Sequence, residues 1–406
     1  MSSHLPRGPH KFPALLELGV NALIKDYPVH WLKRDVRGLA ERLRDRQSVN
    51  IDSERRTSIE YSARDVLAYI VSRFPSTFGA VTTALQHVWL DDAQFAPKQV
   101  LDFGAGTGAG TLSVLSRLFP QSFWIDHDDR GDVVDFNGFS KVPPEHIPRL
   151  VQIEPNKHMQ SAARFFASFL RFPDSMMPLQ STSLSGAVGS AIAPSDLSIC
   201  SYVLNELSSQ DEVKSVISDV LGNTTKYAVF IEPGTPGGFS SIRQLRDDPS
   251  FRAMGFVAVA PCPRSQLTCP MGSGSWCHFS TRLERPMVQR RFKEDFSRSL
   301  EDERLSFVVM KKEISLTEDA LDVPRILGPP LKRSGHVVLD LCHPKGGIQR
   351  QIFSRSSVED GAYRYARKSK WGDPMPFFFP VSSVPSKLEV DRARSEAEVD
   401  EEPESH

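Results

Sequence analysis

VLDFGAGTGAGTLSVL (Val100–Leu115) runs from an apolar strand into a helical pattern through a turn made of glycine. Asp102 sits at the strand end, and Gly104, Gly106 and Gly108 occupy the turn. Without β-carbons such a turn folds tightly, its amides and the following helix N-terminus can face a polar ligand, and the backbone can approach that ligand closely. The GxGxG form also serves dinucleotide sites, but a carboxylate just before the glycines favours a cationic amino-acid ligand over a pyrophosphate.

Outward from this turn, short apolar runs alternate with helical stretches between Lys98 and Glu232. The runs are KQVLDFGAG, LVQIEP, DLSICSYVL and KYAVFIEPG, with GTLSVLSRLF, NKHMQSAARFFASFL and a stretch ending at Leu221 between them. That alternation predicts an α/β fold, a parallel sheet covered by helices. The glycine turn resembles the first motif of S-adenosylmethionine-dependent methyltransferases, which makes Asp102, Gly104, Gly106 and Gly108 the expected cofactor residues in a class I, Rossmann-like core. LVQIEP carries Glu154 at the end of its apolar run, positioned to accept hydrogen bonds from ribose hydroxyls. The distance in sequence from Gly108 to Glu154 far exceeds the roughly 20 residues usual for such a pair. QSFWIDHDDRGDVVDFNGFSKVPPEHIPR is therefore read as an inserted surface loop, with Asp126 and Asp128 as minor alternatives to Glu154. Asn205 and Glu206 follow the strand in DLSICSYVLNEL, near the reactive end of a bound cofactor; they are candidate catalytic residues or helix caps. Cys200, inside the same apolar run, reads as a core thiol.

The chain has 406 residues, 40% hydrophobic and 24% charged, enough for a large core. Its net charge of -1 conceals basic runs (RPMVQRRFK, LKRSG, YRYARKSKW) offset by an acidic tail from Glu389 to Glu404. No run approaches the roughly 18 apolar residues of a membrane helix, so membrane insertion is not expected. Five cysteines in so long a chain do not make a secreted disulfide framework. MSSHLPRGPHKFPALL lacks Asp and Glu and is compatible with an organelle leader. The expected division is a helical segment over residues 1–91, the cofactor-binding core over 92–233, a cysteine-bearing and β-containing section over 234–382, and a disordered acidic tail over 383–406. In the first segment, Val66, Leu67, Tyr69, Ile70 and Phe74 share a helical face. In the third, LSFVVMKK, GHVVLDLC and IQRQIFSR read as strands.

Cys262, Cys269, Cys277 and Cys342 lie in glycine- and proline-rich stretches with no apolar period, as expected of thiolates converging on a soft metal or an iron-sulfur cluster. Zinc, with His278 or His343 as further donors, is the alternative. Structural zinc prefers short C-x₂₋₄-C turns, whereas six and seven residues separate the first three cysteines. A third reading makes Cys262 the nucleophile of a cytosine-C5 RNA methyltransferase.

DFGAGTGAG, SYVLNEL, FIEPGTPGGF, APCP, CP, WCHF, RILGPPLKRSGHVVLDLC and KSKWGD occur in that order between Tyr61 and Asp373. Together they resemble the mitochondrial small-ribosomal-subunit methyltransferase-like family and its bacterial relatives, although Arg264 stands after APCP where a histidine is expected. The resemblance implies a methyltransferase fold that binds S-adenosylmethionine, a [4Fe-4S] cluster on Cys262, Cys269, Cys277 and Cys342, and association with the rRNA and proteins of the small ribosomal subunit in the mitochondrial matrix. No Asn-Pro-Pro-Tyr-type amine site and no Lys/Glu general-base set is visible. The first expectation is thus an assembly factor that has kept the fold for binding, and the second an active rRNA methyltransferase dependent on Asn205 or Glu206. Lys332, Arg333, Arg364, Arg367, Lys368 and Lys370 are the candidate phosphate contacts, with Tyr363, Tyr365 or Trp371 to stack on bases.

Overall fold

Every residue of the strand that ends in the glycine turn is buried, as a parallel strand covered by helices on both faces must be. In the computed structural model this strand lies inside a nine-stranded sheet. After the N-terminal helices the strands of that sheet are, in chain order, Gln99–Phe103 (β1), Arg149–Ile153 (β2), Leu179–Ser181 (β3), Ser195–Ser201 (β4), Thr224–Pro233 (β5), Phe256–Ala260 (β6), Phe279–Glu284 (β7) and Leu300–Lys312 (β8). The structure describes residues 8–48, 60–127, 133–181, 193–262, 268–272, 274–293, 295–313, 323–343 and 347–377. The expected acidic tail lies outside them.

The strands run in the order β3-β2-β1-β4-β5-β8. β1 to β5 are mutually parallel, and β8 returns antiparallel beside β5. The outer edge of β8 pairs with β7 over Leu300–Leu305 and with β6 over Val309–Lys312. Parallel strands with an antiparallel strand beside β5 make the class I methyltransferase arrangement. Chain order reverses between β1 and β4, so the loops leaving these strands diverge and open a crevice at their C-terminal ends. The core beneath it packs Leu101, Phe103, Ile153, Cys200, Phe230 and Val308. Cys200 is fully buried, and burial pushes its thiol well above the ordinary value.

The helical segment consists of Ala14–Ile24 (α1), Val29–Ser48 (α2), Ala63–Ser72 (α3) and Phe74–Asp91 (α4). Ser62 and Asp65 form a reciprocal capping box at the start of α3. The helical periodicity of Val66–Phe74 is interrupted at Arg73, because Pro75 cannot continue a helix except in its first turn. At the start of the described chain His10–Lys11 pairs with β7, Leu15, Leu16 and Val20 are fully buried, and the Glu17 carboxylate accepts the Val288 N–H at 2.8 Å.

Three other features differ from the sequence reading. LSFVVMKK belongs to β8, in the same sheet as the glycine turn, and the chain forms two compact units, Met1–Leu321 and Asp322–His406. The inserted stretch is not only surface loop. Phe139 is fully buried, with ring centroids 4.3 Å from Phe172 and 5.6 Å from Phe119, and its N–H reaches the Leu170 carbonyl at 2.8 Å. In that stretch Asp126 lies in a two-residue strand paired with Val133–Asp135, and Asp128 lies outside the described residues.

The second unit is a four-stranded antiparallel sheet of Arg325–Ile326 (β9), Leu331–Lys332 (β10), His336–His343 (β11) and Gly347–Ser354 (β12). β11 pairs along its length with β12, and by its other edge with β9 and β10. Val337, Leu339, Leu341 and Phe353 pack against Tyr363 and Ala366 of the helix Asp360–Lys368.

Gly104→Ala tests the turn. Gly104 has φ +69°, and a β-carbon there would lie 2.2 Å from Val203 Cγ2. Urea unfolding is expected to show a loss of about 2–4 kcal/mol, against little change for Gly222→Ala, where the added methyl meets nothing within 4 Å. Equal midpoints for the two variants would contradict this packing.

Candidate functional site

The glycine turn folds back on β2: the Gly104 and Ala105 amides both donate to the Ile153 carbonyl, at 2.8 and 3.0 Å. Gly108, φ +87°, is the N-cap of Ala109–Leu118 (α5). Asp102 is fully buried and accepts the Thr111 N–H at 2.8 Å and its hydroxyl at 2.9 Å. Gly110 leaves room for it, since a β-carbon there would sit 2.5 Å from Asp102 Oδ1. Burial outweighs the Thr111 bonds and pushes the Asp102 carboxyl up to about 7. Asp102 therefore clamps α5 to β1 from behind the turn, whereas Gly104 and Gly106 line the crevice. The expectation that Asp102 meets the ligand's cationic end does not fit this geometry.

Glu154, at the end of β2, is on the crevice wall. One carboxylate oxygen accepts the Gly106 N–H and the other the Asn156 N–H, both at 2.8 Å. Each oxygen keeps a further lone pair. Burial raises the Glu154 carboxyl above its ordinary value, against the pull of these two amides. Asn156 caps Lys157–Phe169 (α6) and also donates its side-chain N–H to the Tyr61 carbonyl at 2.8 Å, tying the approach to α3 across the crevice mouth.

Asn205 and Glu206 follow β4 and line the same crevice, whose volume is about 1000 Å³. The Tyr61 hydroxyl donates to Glu206 at 3.4 Å. Their turn is fixed from below by Glu232 of β5, fully buried, which accepts the N–H groups of Leu204 at 2.7 Å and Asn205 at 3.3 Å. Burial pushes the Glu232 carboxyl up to about 8, with those amides opposing. Tyr202 adopts φ +62°, a strained conformation for a bulky residue, and its buried hydroxyl has no hydrogen-bond partner among the described residues. Arg73 reaches the wall from the α3–α4 junction and forms a forked ion pair with Glu303, at 2.8 and 3.3 Å. Sequence reading missed Glu232, Tyr202 and Arg73. IEP at the end of β5 was the available sign for Glu232, since a carboxylate inside an apolar strand demands partners; Tyr202 and Arg73 left no pattern.

The cysteine stretch is organised around Cys269. Its N–H donates to both Asp247 oxygens at 3.1 Å, its carbonyl accepts from Arg243 at 3.4 Å, and the Met271 N–H points at its sulfur. Cys262 lies close enough to act on the Cys269 thiol, which burial raises. The Cys277 carbonyl accepts the Ser306 hydroxyl at 2.8 Å, and the neighbouring Trp276 stacks on His278 and donates to the Gly234 carbonyl. Cys342 is a buried residue of β11 in the second unit. Among the described residues no group of three His, Cys, Asp or Glu side chains is arranged to hold a metal, while the thiols and the inward-pointing amide have the chemistry of a sulfur-ligand loop.

In the second unit Lys332, Arg333, Arg367, Lys368 and Lys370 are exposed. Arg367 donates to the Arg333 carbonyl at 2.7 Å and Lys332 to the Ser369 carbonyl at 3.2 Å. Burial, then the charges of Arg367 and Lys370, hold the Lys332 ammonium below its ordinary value. Arg364 pairs one turn back with Asp360 at 2.5 Å. Tyr363 is buried in the unit's core and cannot stack on a base, because α-helix packing on the sheet consumes its ring. Tyr365 is part-buried and donates to the Pro374 carbonyl at 2.8 Å.

A family model described as mitochondrial small ribosomal subunit Rsm22 matches residues 63–376. The Homo sapiens ribosome assembly protein METTL17, mitochondrial, is 26% identical over 339 residues, 81% of this chain and 66% of that protein. The Schizosaccharomyces pombe Rsm22-cox11 tandem protein 2, mitochondrial, is 26% identical over 372 residues, 82% of this chain and 46% of that protein. The chain thus spans between about half and two thirds of these relatives. Among solved structures, magnesium protoporphyrin IX methyltransferase (ChlM) from Synechocystis PCC 6803 with bound SAM aligns with a TM-score of 0.34 at 9% identity, over 63% of this chain and 86% of that one. That likeness is too distant to add to the strand order. No helix among the described residues is long and apolar enough to cross a membrane.

Asp102 and Glu232 hold their protons to about 7 and about 8 in the folded chain, above the ordinary carboxyl range. Such groups stabilise the fold fully only below the unfolded value, and that stability is lost as pH rises through the folded value. Unfolding free energy is therefore expected to fall between about pH 5 and 8, by the order of a few kcal/mol, with a shallower fall in Glu232→Gln, which mimics the protonated acid. Parallel pH profiles for the native chain and the variant would contradict the assignment to Glu232.

Proposed function

This chain belongs to the family described as mitochondrial small ribosomal subunit Rsm22, and from that premise we propose that it is a small-subunit assembly factor of the mitochondrial matrix which binds S-adenosylmethionine in the crevice and rRNA through its second unit. The observation that carries the cofactor reading is Glu154, locked to the Gly106 and Asn156 amides on the crevice wall, where its free lone pairs suit ribose hydroxyls. The relatives are named as mitochondrial ribosome assembly proteins, which supports the partner.

Cys262, Cys269, Cys277 and Cys342 are the thiols that would hold a [4Fe-4S] cluster; the amide directed at the Cys269 sulfur supports a thiolate ligand there, and gaps of six and seven residues favour the cluster over the short turns of structural zinc. When bound, the cluster would add a restraint to the loop that carries Cys262, Cys269 and Cys277. The clustered cations Lys332, Arg333, Arg367 and Lys370 support phosphate contact, with Arg364 and Lys368 at its margin. A second reading, methyl transfer to rRNA, is favoured by Asn205 and Glu206 standing on the wall of the same crevice.

Two measurements test this reading. Anaerobically purified chain is expected to carry about four irons and four sulfides, lost in Cys269→Ser; zinc, or no metal, would remove the cluster. Reversing Lys332, Arg367 and Lys370 to glutamate is expected to weaken co-sedimentation with small-subunit rRNA by about tenfold or more and to flatten its salt dependence. Unchanged co-sedimentation would remove the patch.

A further inference from the structure

Two guanidinium groups among the described residues reach the crevice wall, Arg44 from α2 and Arg73 from the α3–α4 junction. They are held very differently. Arg44 is exposed, and its Nε donates to the carbonyl of Ala40 in its own helix at 3.3 Å. Arg73 is only partly exposed and is gripped in a forked pair by Glu303, at the start of β8. Because β8 is antiparallel to β5 and Leu305 pairs with Pro233, Glu303 stands just beyond the C-terminal end of β5, level with the crevice.

The sheet order fixes what Arg73 faces. Glu154 tops β2, the glycine turn tops β1, and Tyr202 tops β4 on the far side. Val203 Cγ2 packs against Gly104 so closely that no β-carbon fits between them, which sets Tyr202 directly beside the turn. Arg73 and Tyr202 act on one another electrostatically, so Arg73 lies over the β4 end. From Glu154 to this point is two strand spacings, about 10 Å. A nucleoside whose ribose is held at Glu154 would extend its amino-acid arm over β1 toward β4.

We infer that Arg73 receives the amino-acid carboxylate of the S-adenosyl ligand, dividing the crevice into a ribose end at Glu154 and a carboxylate end at Arg73. This rests on the cofactor reading above. Glu303 holds two of the five guanidinium N–H groups and orients the fork, leaving others for a second carboxylate. Preorganisation of this kind lowers the cost of binding, because the long side chain is already ordered. The other acids around this point do not oppose the anion equally. Glu303 is neutralised by Arg73, Glu232 is held protonated to about 8, and the Glu206 carboxylate takes the Tyr61 hydroxyl.

The test compares two ligands by isothermal titration on the full chain. S-adenosylhomocysteine carries the amino-acid arm, and 5′-methylthioadenosine has the same nucleoside without it. In Arg73→Met, affinity for S-adenosylhomocysteine is expected to fall about 10- to 100-fold, the loss of a charge-assisted pair, with methylthioadenosine unchanged. If both ligands weaken together, or neither does, Arg73 serves only the fold and the inference is overturned, while the crevice reading survives. Loss of the discrimination in Arg44→Met instead would assign the carboxylate to Arg44 and also overturn it. Arg73→Lys keeps a charge opposite Glu303 and covers failure of the methionine variant to fold; its preference for S-adenosylhomocysteine must shrink, and an unchanged preference overturns the inference. Should the native chain bind neither ligand, the cofactor reading fails and this inference falls with it.

Discussion

A single methyl group has no room between Gly104 and Val203, and the crevice depends on that contact. It forces the turn after β1 against the turn after β4 at the point where strand order reverses, so two loops that diverge everywhere else meet at their bases. The consequences spread outward. With Gly104 fixed, the Gly106 amide reaches Glu154 on one side, and on the other the Val203–Glu206 turn drops its amides onto Glu232. Buried carboxylates thus act as pins: Asp102 holds α5, Glu232 holds the β4 turn, and Glu154, alone of the three, stands on the crevice wall with acceptor capacity left over.

The helical segment completes what the sheet begins. Asn156 and Glu206 lie on opposite lips of the crevice, and Tyr61 engages both, through its carbonyl and its hydroxyl. Arg73 and Tyr69 follow on the same segment, and the Tyr69 hydroxyl is paired with Thr77 at 3.0 Å. A wall built this way combines backbone amides, aromatic rings and one oriented cation, a mixture suited to a nucleoside bearing a zwitterionic arm.

Much of the sheet was legible in the sequence because parallel strands buried on both faces read as near-continuous apolar runs, as YAVFI does and as VLDF and LVQI do but for one polar residue each. The glycines were legible because the turn needs positive φ, which Gly104, Gly106 and Gly108 supply. Other features were hidden for physical reasons. β8 is separated from the core strands by the whole cysteine stretch, so LSFVVMKK looked like part of a later section although it pairs with β5. Phe139 looked like loop because one buried aromatic has no period. Asp102 and Glu154 are chemically alike in sequence, and only burial separates the residue behind the turn from the one in front of it. The basic run YRYARKSKW showed its cations, yet only helix packing reveals that Tyr363 is spent on the core.

In the proposed function Glu154 would face a nucleoside ribose across the crevice. Titration of S-adenosylhomocysteine into the native chain and into Glu154→Gln tests that most directly. Saturable binding by the native chain, weakened about tenfold or more in the variant, is the predicted result. No saturable binding by a folded native chain, or equal affinity in the two, would contradict the account.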